Sequence, residues 1–182
     1  PALPSIRIVY NDPNIKIESR IANSNIFGRQ TTSQMVHEAN KQNKVLAAIN
    51  ADFFKKNGRP VGAQVIKGQL VKKPFHRSVF GMTTEGRPFI DIVNFKGQVW
   101  INDQEIAIDR INLEQKEDQL ILYNRFRSDS IPDVKFDCQI SARYINKPIV
   151  NDTAYLVVED KWNQDSVMNR FPNNRISLSA QN

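Results

Sequence analysis

The sequence holds one cysteine, two histidines, seven glycines and no long apolar run. A lone thiol, Cys138, closes no internal disulfide and says nothing for or against export. It lies in the alternating run Phe136-Asp137-Cys138-Gln139-Ile140, which reads as a strand with Cys138 on its apolar face, a buried and inert thiol. His37 and His76 stand at no ligand spacing, and there is no cysteine cluster, so a zinc site has no support. No cofactor is expected, although an oxygen-liganded Ca²⁺ stays compatible with the composition. A Ser-His-Asp arrangement and a phosphate-cradling P-loop are both missing. Without a run of about 18 apolar residues, no membrane-spanning helix is expected. No charged-then-apolar leader opens the chain, which starts at Pro1 and reads as a processed or trimmed product.

What is present is ordinary for a globular protein. The 182 residues are 40% hydrophobic and 24% charged, enough for a single domain with a sizeable core. The net charge of +6 attracts anions in general. Nucleic acid is not the expected partner, because neither a basic helix nor the aromatic-basic interleaving of single-strand binders is there.

Periodicity gives a strand-rich α+β domain with a mixed or antiparallel sheet and one main helix near residues 32–43. Ile6, Ile8 and Tyr10, then Ile15, Ile17, Ser19 and Ile21, alternate as two half-buried strands around the turn Asn11-Asp12-Pro13-Asn14, predicting a hairpin. Thr31 and Gln34 have the spacing of a capping box, and Met35, Val36 and Ala39 form the apolar stripe of the helix they open. Lys41 and Lys44 suit the negative pole at its end. Val45-Leu46-Ala47-Ala48-Ile49 is a short continuous apolar run, predicting a strand covered on both faces. Further strands are predicted over 62–66, 77–82, 89–94, 98–102, 119–123, 135–144 and 153–160, with Gly68, Gly86 and Gly97 as turn residues. The stretches 114–118 and 125–132 read as loops.

The chemistry concentrates after the apolar run. Asn50 and Asp52 follow it directly, then Phe53 and Phe54. Polar groups at the mouth of a rigid strand are well placed for binding or catalysis. A basic region follows, with Lys55, Lys56, Arg59, Lys67, Lys72, Lys73 and Arg77, and no Asp or Glu stands between Lys55 and Arg77. Asp52 fits a catalytic carboxylate, and equally a structural one that accepts from nearby backbone N–H groups. Arg77 fits a phosphate grip or an ordinary ion pair. Phe53 and Phe54 fit core better than sugar stacking.

The strings AAINADFF, PVGAQVIKGQLV and HRSVFGMTTEGRPFI resemble the N-terminal half of the phosphodiester glycosidase family. That family includes the lysosomal uncovering enzyme, which removes N-acetylglucosamine (GlcNAc) from a phosphomannosyl diester, and many bacterial proteins. Its pattern is an apolar strand ending in Asn-Gly-x-Phe-Phe, then Pro-x-Gly, a Gly turn, and an Arg leading into a strand closed by Gly. Here Asn50, Asp52, Phe53 and Phe54 match the first part, followed by Pro60, Gly62, Gly68, Arg77, Gly81 and Gly86. Weaker likeness extends through 6–31, to 120–124, and to 175–180 as the strand before the family's second half. Ala51 stands where Gly is commoner. The glycine-rich Leu-Asp-Gly-Gly-Gly-Ser-Ser motif of that second half does not occur.

The resemblance implies hydrolysis of a sugar-1-phosphodiester of the GlcNAc-phosphate type, in an extracytoplasmic or secreted setting. Asp52 would be a catalytic carboxylate and Asn50 would hold a sugar hydroxyl or that carboxylate. Arg77, Lys55, Arg59 and His76 would meet the phosphate, and Gly62, Gly68 and Gly81 would serve as structural turns. The partner would be a phosphorylated glycan or sugar phosphodiester. Residues 1–182 would be the N-terminal part of a larger domain, with the second carboxylate on a C-terminal half carried by a continuing or second polypeptide. The alternative from a different class is a non-catalytic binding module for phosphate-linked cell-wall glycans.

Overall fold

A computed structural model describes residues 12–114, 118–127, 138–162 and 175–180. Among these the chain is α+β, with one α-helix and eleven strands in four sheets. Helix α1 spans Thr32–Asn40 and opens on the predicted capping box. The Thr31 hydroxyl accepts from the Gln34 N–H, and the Gln34 side chain accepts from the Thr31 N–H. The helix ends at Asn40 rather than 43, where Gln42 and Asn43 donate back to the Ala39 carbonyl as a closing turn. Of its apolar stripe Ala39 is buried, while Met35 and Val36 are half-buried.

The strands in chain order are β1 Gln64–Ile66, β2 Gln69–Lys72, β3 Ser78–Met82, β4 Pro88–Ile92, β5 Gln98–Ile101, β6 Gln104–Ala107, β7 Arg110–Ile111, β8 Ile121–Tyr123, β9 Cys138–Tyr144, β10 Leu156–Trp162 and β11 Arg175–Ala180. β1–β2, β3–β4 and β5–β6 are separate antiparallel hairpins. Two of them turn on paired left-handed residues, Lys67-Gly68 and Asn102-Asp103, the geometry that suits the twist of a two-residue hairpin. The larger sheet runs β10-β9-β11-β8-β7, antiparallel except for β7 beside β8. Ile111, Ile121, Tyr123 and Ala142 lie buried in it. A second cluster of Ile26, Ile66, Val71 and Phe126 packs the first hairpin on the loop before α1.

Buried asparagines join the two regions. Asn112 Nδ2 donates to the Val71 carbonyl at 2.9 Å and to Asn124 Oδ1 at 2.8 Å. Asn124 returns its N–H to Asn112 Oδ1 and donates Nδ2 to the Leu70 carbonyl. Arg127 Nη1 donates to the Asn112 carbonyl. β2 is thereby fixed to the β7–β8 edge with its buried amides satisfied, which keeps their desolvation from being a net cost.

Several expectations are corrected. Residues 45–49 form no strand, and Leu46 and Ile49 are 69% and 70% exposed. The run therefore has no sheet neighbour on either face among the described residues. Residues 15–21 are not a strand either, and the proposed partner at 6–10 lies outside the described residues, as do Phe136 and Asp137. Cys138 is half-buried rather than buried. Gly81 is no turn: it sits inside β3 opposite Phe89, and a Cβ there would run into that ring. Glycine is what lets the cross-strand aromatic lie over the backbone.

Candidate functional site

The segment after Asn50 folds back on itself. Phe54 bridges to Pro60, the Lys55 N–H donates to the Arg59 carbonyl at 2.8 Å, and the Val61 N–H donates to the Phe53 carbonyl at 2.8 Å. Asp52 closes the loop. Its Oδ1 accepts from the Phe53 N–H at 2.7 Å and its Oδ2 from the Gly62 N–H at 2.9 Å. A Cβ at Gly62 would stand 3.0 Å from Asp52 Oδ2, so a larger residue there would press on this carboxylate. The structural role weighed for Asp52 is thus present: both carboxylate oxygens hold backbone.

At the tip, Gly58 adopts φ +88° and abuts Gly28, and a Cβ at Gly58 would collide with the Gly28 carbonyl. The Arg29 guanidinium lies 5.8 Å from the Phe54 ring centre on the same side. The loop is therefore seated on residues before α1, which sequence periodicity did not signal.

The basic region separates into distinct roles. Arg77 places its guanidinium 5.5 Å from the Phe53 ring centre, and that phenylalanine keeps 72% of its surface exposed. Phe53 is therefore surface, not core, and Phe54 is 49% exposed. Arg59 gives Nη1 to both Glu114 oxygens, at 3.1 and 2.9 Å, so its expected role at phosphate gives way to an ion pair. Burial pushes the Glu114 carboxyl up, but its own backbone N–H and the Arg59 guanidinium outweigh that, and it ionises below the usual range. Lys73 Nζ donates to the Asp109 carbonyl at 2.6 Å. Lys72 Nζ donates to the Val61 carbonyl.

Lys55 and His76 are exposed, and Asn50 lies exposed in coil beside the loop. The structure thus joins Asp52, Phe53, Gly62 and Arg77, and adds Lys72 and Glu114, which sequence reading left unassigned. Gly68 is the turn it was expected to be. No group of His, Cys, Asp or Glu among the described residues is arranged to hold a metal ion. No helix of the described residues is long and apolar enough to cross a membrane. Comparison with protein-family models, curated proteins and solved structures gives no match to the chain.

Proposed function

We propose that the chain binds a sugar joined through phosphate on the face built by Asp52, Phe53 and Arg77, and supplies the phosphate-binding half of a phosphodiester glycosidase-type site for a GlcNAc-phosphate linkage. The observation that carries this reading is the pairing of an exposed aromatic ring with a guanidinium, 5.5 Å away, beside a carboxylate fixed by two backbone N–H groups. A sugar presents C–H groups that stack on an aromatic face, and its phosphate presents oxygens that a guanidinium grips two at a time.

Cleavage at the anomeric carbon passes through an oxocarbenium-like state and commonly uses two carboxylates. Asp52 is one, with Asn50 two residues away to hold a sugar hydroxyl. The second belongs to the glycine-rich half that the family resemblance implies, carried by a continuing or separate polypeptide. Phosphate is a good leaving group, so help with its charge matters more than its protonation. An extracytoplasmic setting follows from the same resemblance.

One observation favours the second reading, a binding module without turnover. Both Asp52 oxygens already accept backbone N–H groups, which suits holding the loop more than attacking a sugar.

The test is calorimetric titration of the chain with both anomers of GlcNAc-1-phosphate methyl diester, with release of free GlcNAc followed in parallel. One anomer is expected to bind, and Arg77→Ala to weaken it about tenfold or more, the worth of a charge-assisted pair. Release of GlcNAc assigns hydrolysis to this chain itself, while binding without release is the outcome shared by a half-site whose second carboxylate lies elsewhere and by the module. If neither anomer binds, or Arg77→Ala binds as wild type does, the reading is wrong.

A further inference from the structure

Lys72 ends β2 half-buried, and its Nζ donates to the Val61 carbonyl and lies 3.4 Å from the Gly62 carbonyl oxygen. The N–H of that same Val61–Gly62 peptide donates to Asp52 Oδ2. One peptide unit is therefore held by a cation on its oxygen and a carboxylate on its hydrogen. An ammonium carries three donors and no acceptor, so two engaged with carbonyls leave one without a partner among the described residues.

The charges facing Lys72 are unbalanced. Arg59 and Lys55 act on it as like charges, and Asp52 opposes them. Glu114 offsets Arg59 directly through their ion pair. Among the described residues, Asp52 is what is left to balance Lys72 and Lys55. Next to a half-buried ammonium, that imbalance favours an incoming anion, because a low-dielectric setting strengthens a charge-assisted hydrogen bond.

We propose that Lys72 is the inner anchor of a phosphate site, its third N–H meeting a phosphate oxygen while Lys55 closes the outer edge. This rests on the function proposed above and adds to it the residue that takes the phosphate charge from the protein side, with Arg77 at the sugar-facing side. Burial, then Arg59 and Lys55 against the opposing pull of Asp52, hold the Lys72 ammonium below the ordinary lysine value. An anion bound to the protonated form reverses that push, and by linkage the lysine then holds its proton to higher pH.

The experiment follows the Lys72 ammonium by nuclear magnetic resonance in the whole chain. Inorganic phosphate and the GlcNAc-1-phosphate methyl diester are titrated separately. The expected result is an upward move of the Lys72 protonation midpoint on adding phosphate, a readout that needs no variant to fold. Calorimetry should show Lys72→Met weakening phosphate binding about tenfold, with Lys72→Arg, which keeps the charge, losing less.

A lysine that only straps the loop would show no phosphate-dependent midpoint. That result, or Lys72→Met binding phosphate as wild type does, or no phosphate binding at all, overturns the proposal. If the diester binds through Arg77 but not Lys72, this inference fails and the earlier reading stands. If phosphate binds through Lys72 but the diester does not bind, the earlier reading fails and this one stands.

Discussion

Asp52 links the loop's shape to its chemistry, because the same two oxygens that could face a sugar hold the Phe53 and Gly62 N–H groups. Asp52→Ala should therefore destabilise the fold before it says anything about ligand. The side chain is exposed, so water replaces part of the loss. The cost should be about 1 kcal/mol. For a chain of this size that lowers the melting temperature by roughly 2–4 °C. Asp52→Asn keeps one acceptor oxygen and should lose less, leaving mainly the missing charge to be read in ligand titrations. Melting curves of the two variants check this, and an Asp52→Ala chain melting with wild type would mean the two hydrogen bonds hold nothing. Among the cations the sequence offers no such separation. Arg59 and Arg77 stand in the same acid-free stretch, yet one pairs with Glu114 and the other stacks on Phe53. The deciding partner of Arg59 lies 55 residues away, and nothing local to either arginine encodes it.

The loop over residues 52–62 is held in place by its tip as well as its neck. Gly58 is left-handed and pressed on Gly28, so Gly58→Ala meets both a strained φ and a backbone collision that cannot rotate away. Expected is a loss of about 1–3 kcal/mol, together with weaker ligand binding because Asp52 and Phe53 move with the loop. Denaturant unfolding and the diester titration check the two halves, and a Gly58→Ala chain with native stability would show that the tip is not seated. Elements set by local chemistry were legible in the sequence. The capping box fixed the start of α1 to the residue, and the strands at 78–82, 98–101 and 121–123 lie within the predicted 77–82, 98–102 and 119–123. Elements set by distant partners were not. Strands β2, β6 and β7 passed unread although β5 and β8 are no longer than β2 and β6, and Asn112 and Asn124 look like turn residues until their cross-sheet bonds are seen. Residues 45–49 have the composition of a central strand and, among the described residues, none of its neighbours, because composition reports a preference for burial and not the presence of a sheet to be buried in.

At the scale of the molecule, the five-stranded sheet sets the alkaline limit of the fold. Tyr123 on β8 is fully buried and Tyr144 on β9 half-buried, and burial pushes each phenol up to about 12. Arg127 and Arg110 pull Tyr123 the other way without overcoming burial. In the unfolded chain a phenol ionises near pH 10. Between about pH 10 and 12, then, the unfolded chain releases protons that the folded chain keeps. The unfolded state binds fewer protons, so stability falls as pH rises through that window, and the contribution is complete below it. Lys72 carries the opposite sign. Its folded value is lowered, so the folded chain sheds that proton first and stability rises with pH up to its ordinary value of 10.5. The tyrosine effect should therefore stand clear only above about pH 10.5. Circular dichroism against pH, with phenolate absorbance read on the same sample, should show late ionisation of two phenols coinciding with loss of the sheet. Removing both groups in Tyr123→Phe with Tyr144→Phe should move the transition to higher pH, even if the double variant is somewhat less stable at neutral pH. If both phenols titrate near 10 while the sheet remains intact, the strands are open to water, and the sheet cannot be the rigid body on which the Asn112–Asn124 lock mounts the loop and its candidate site.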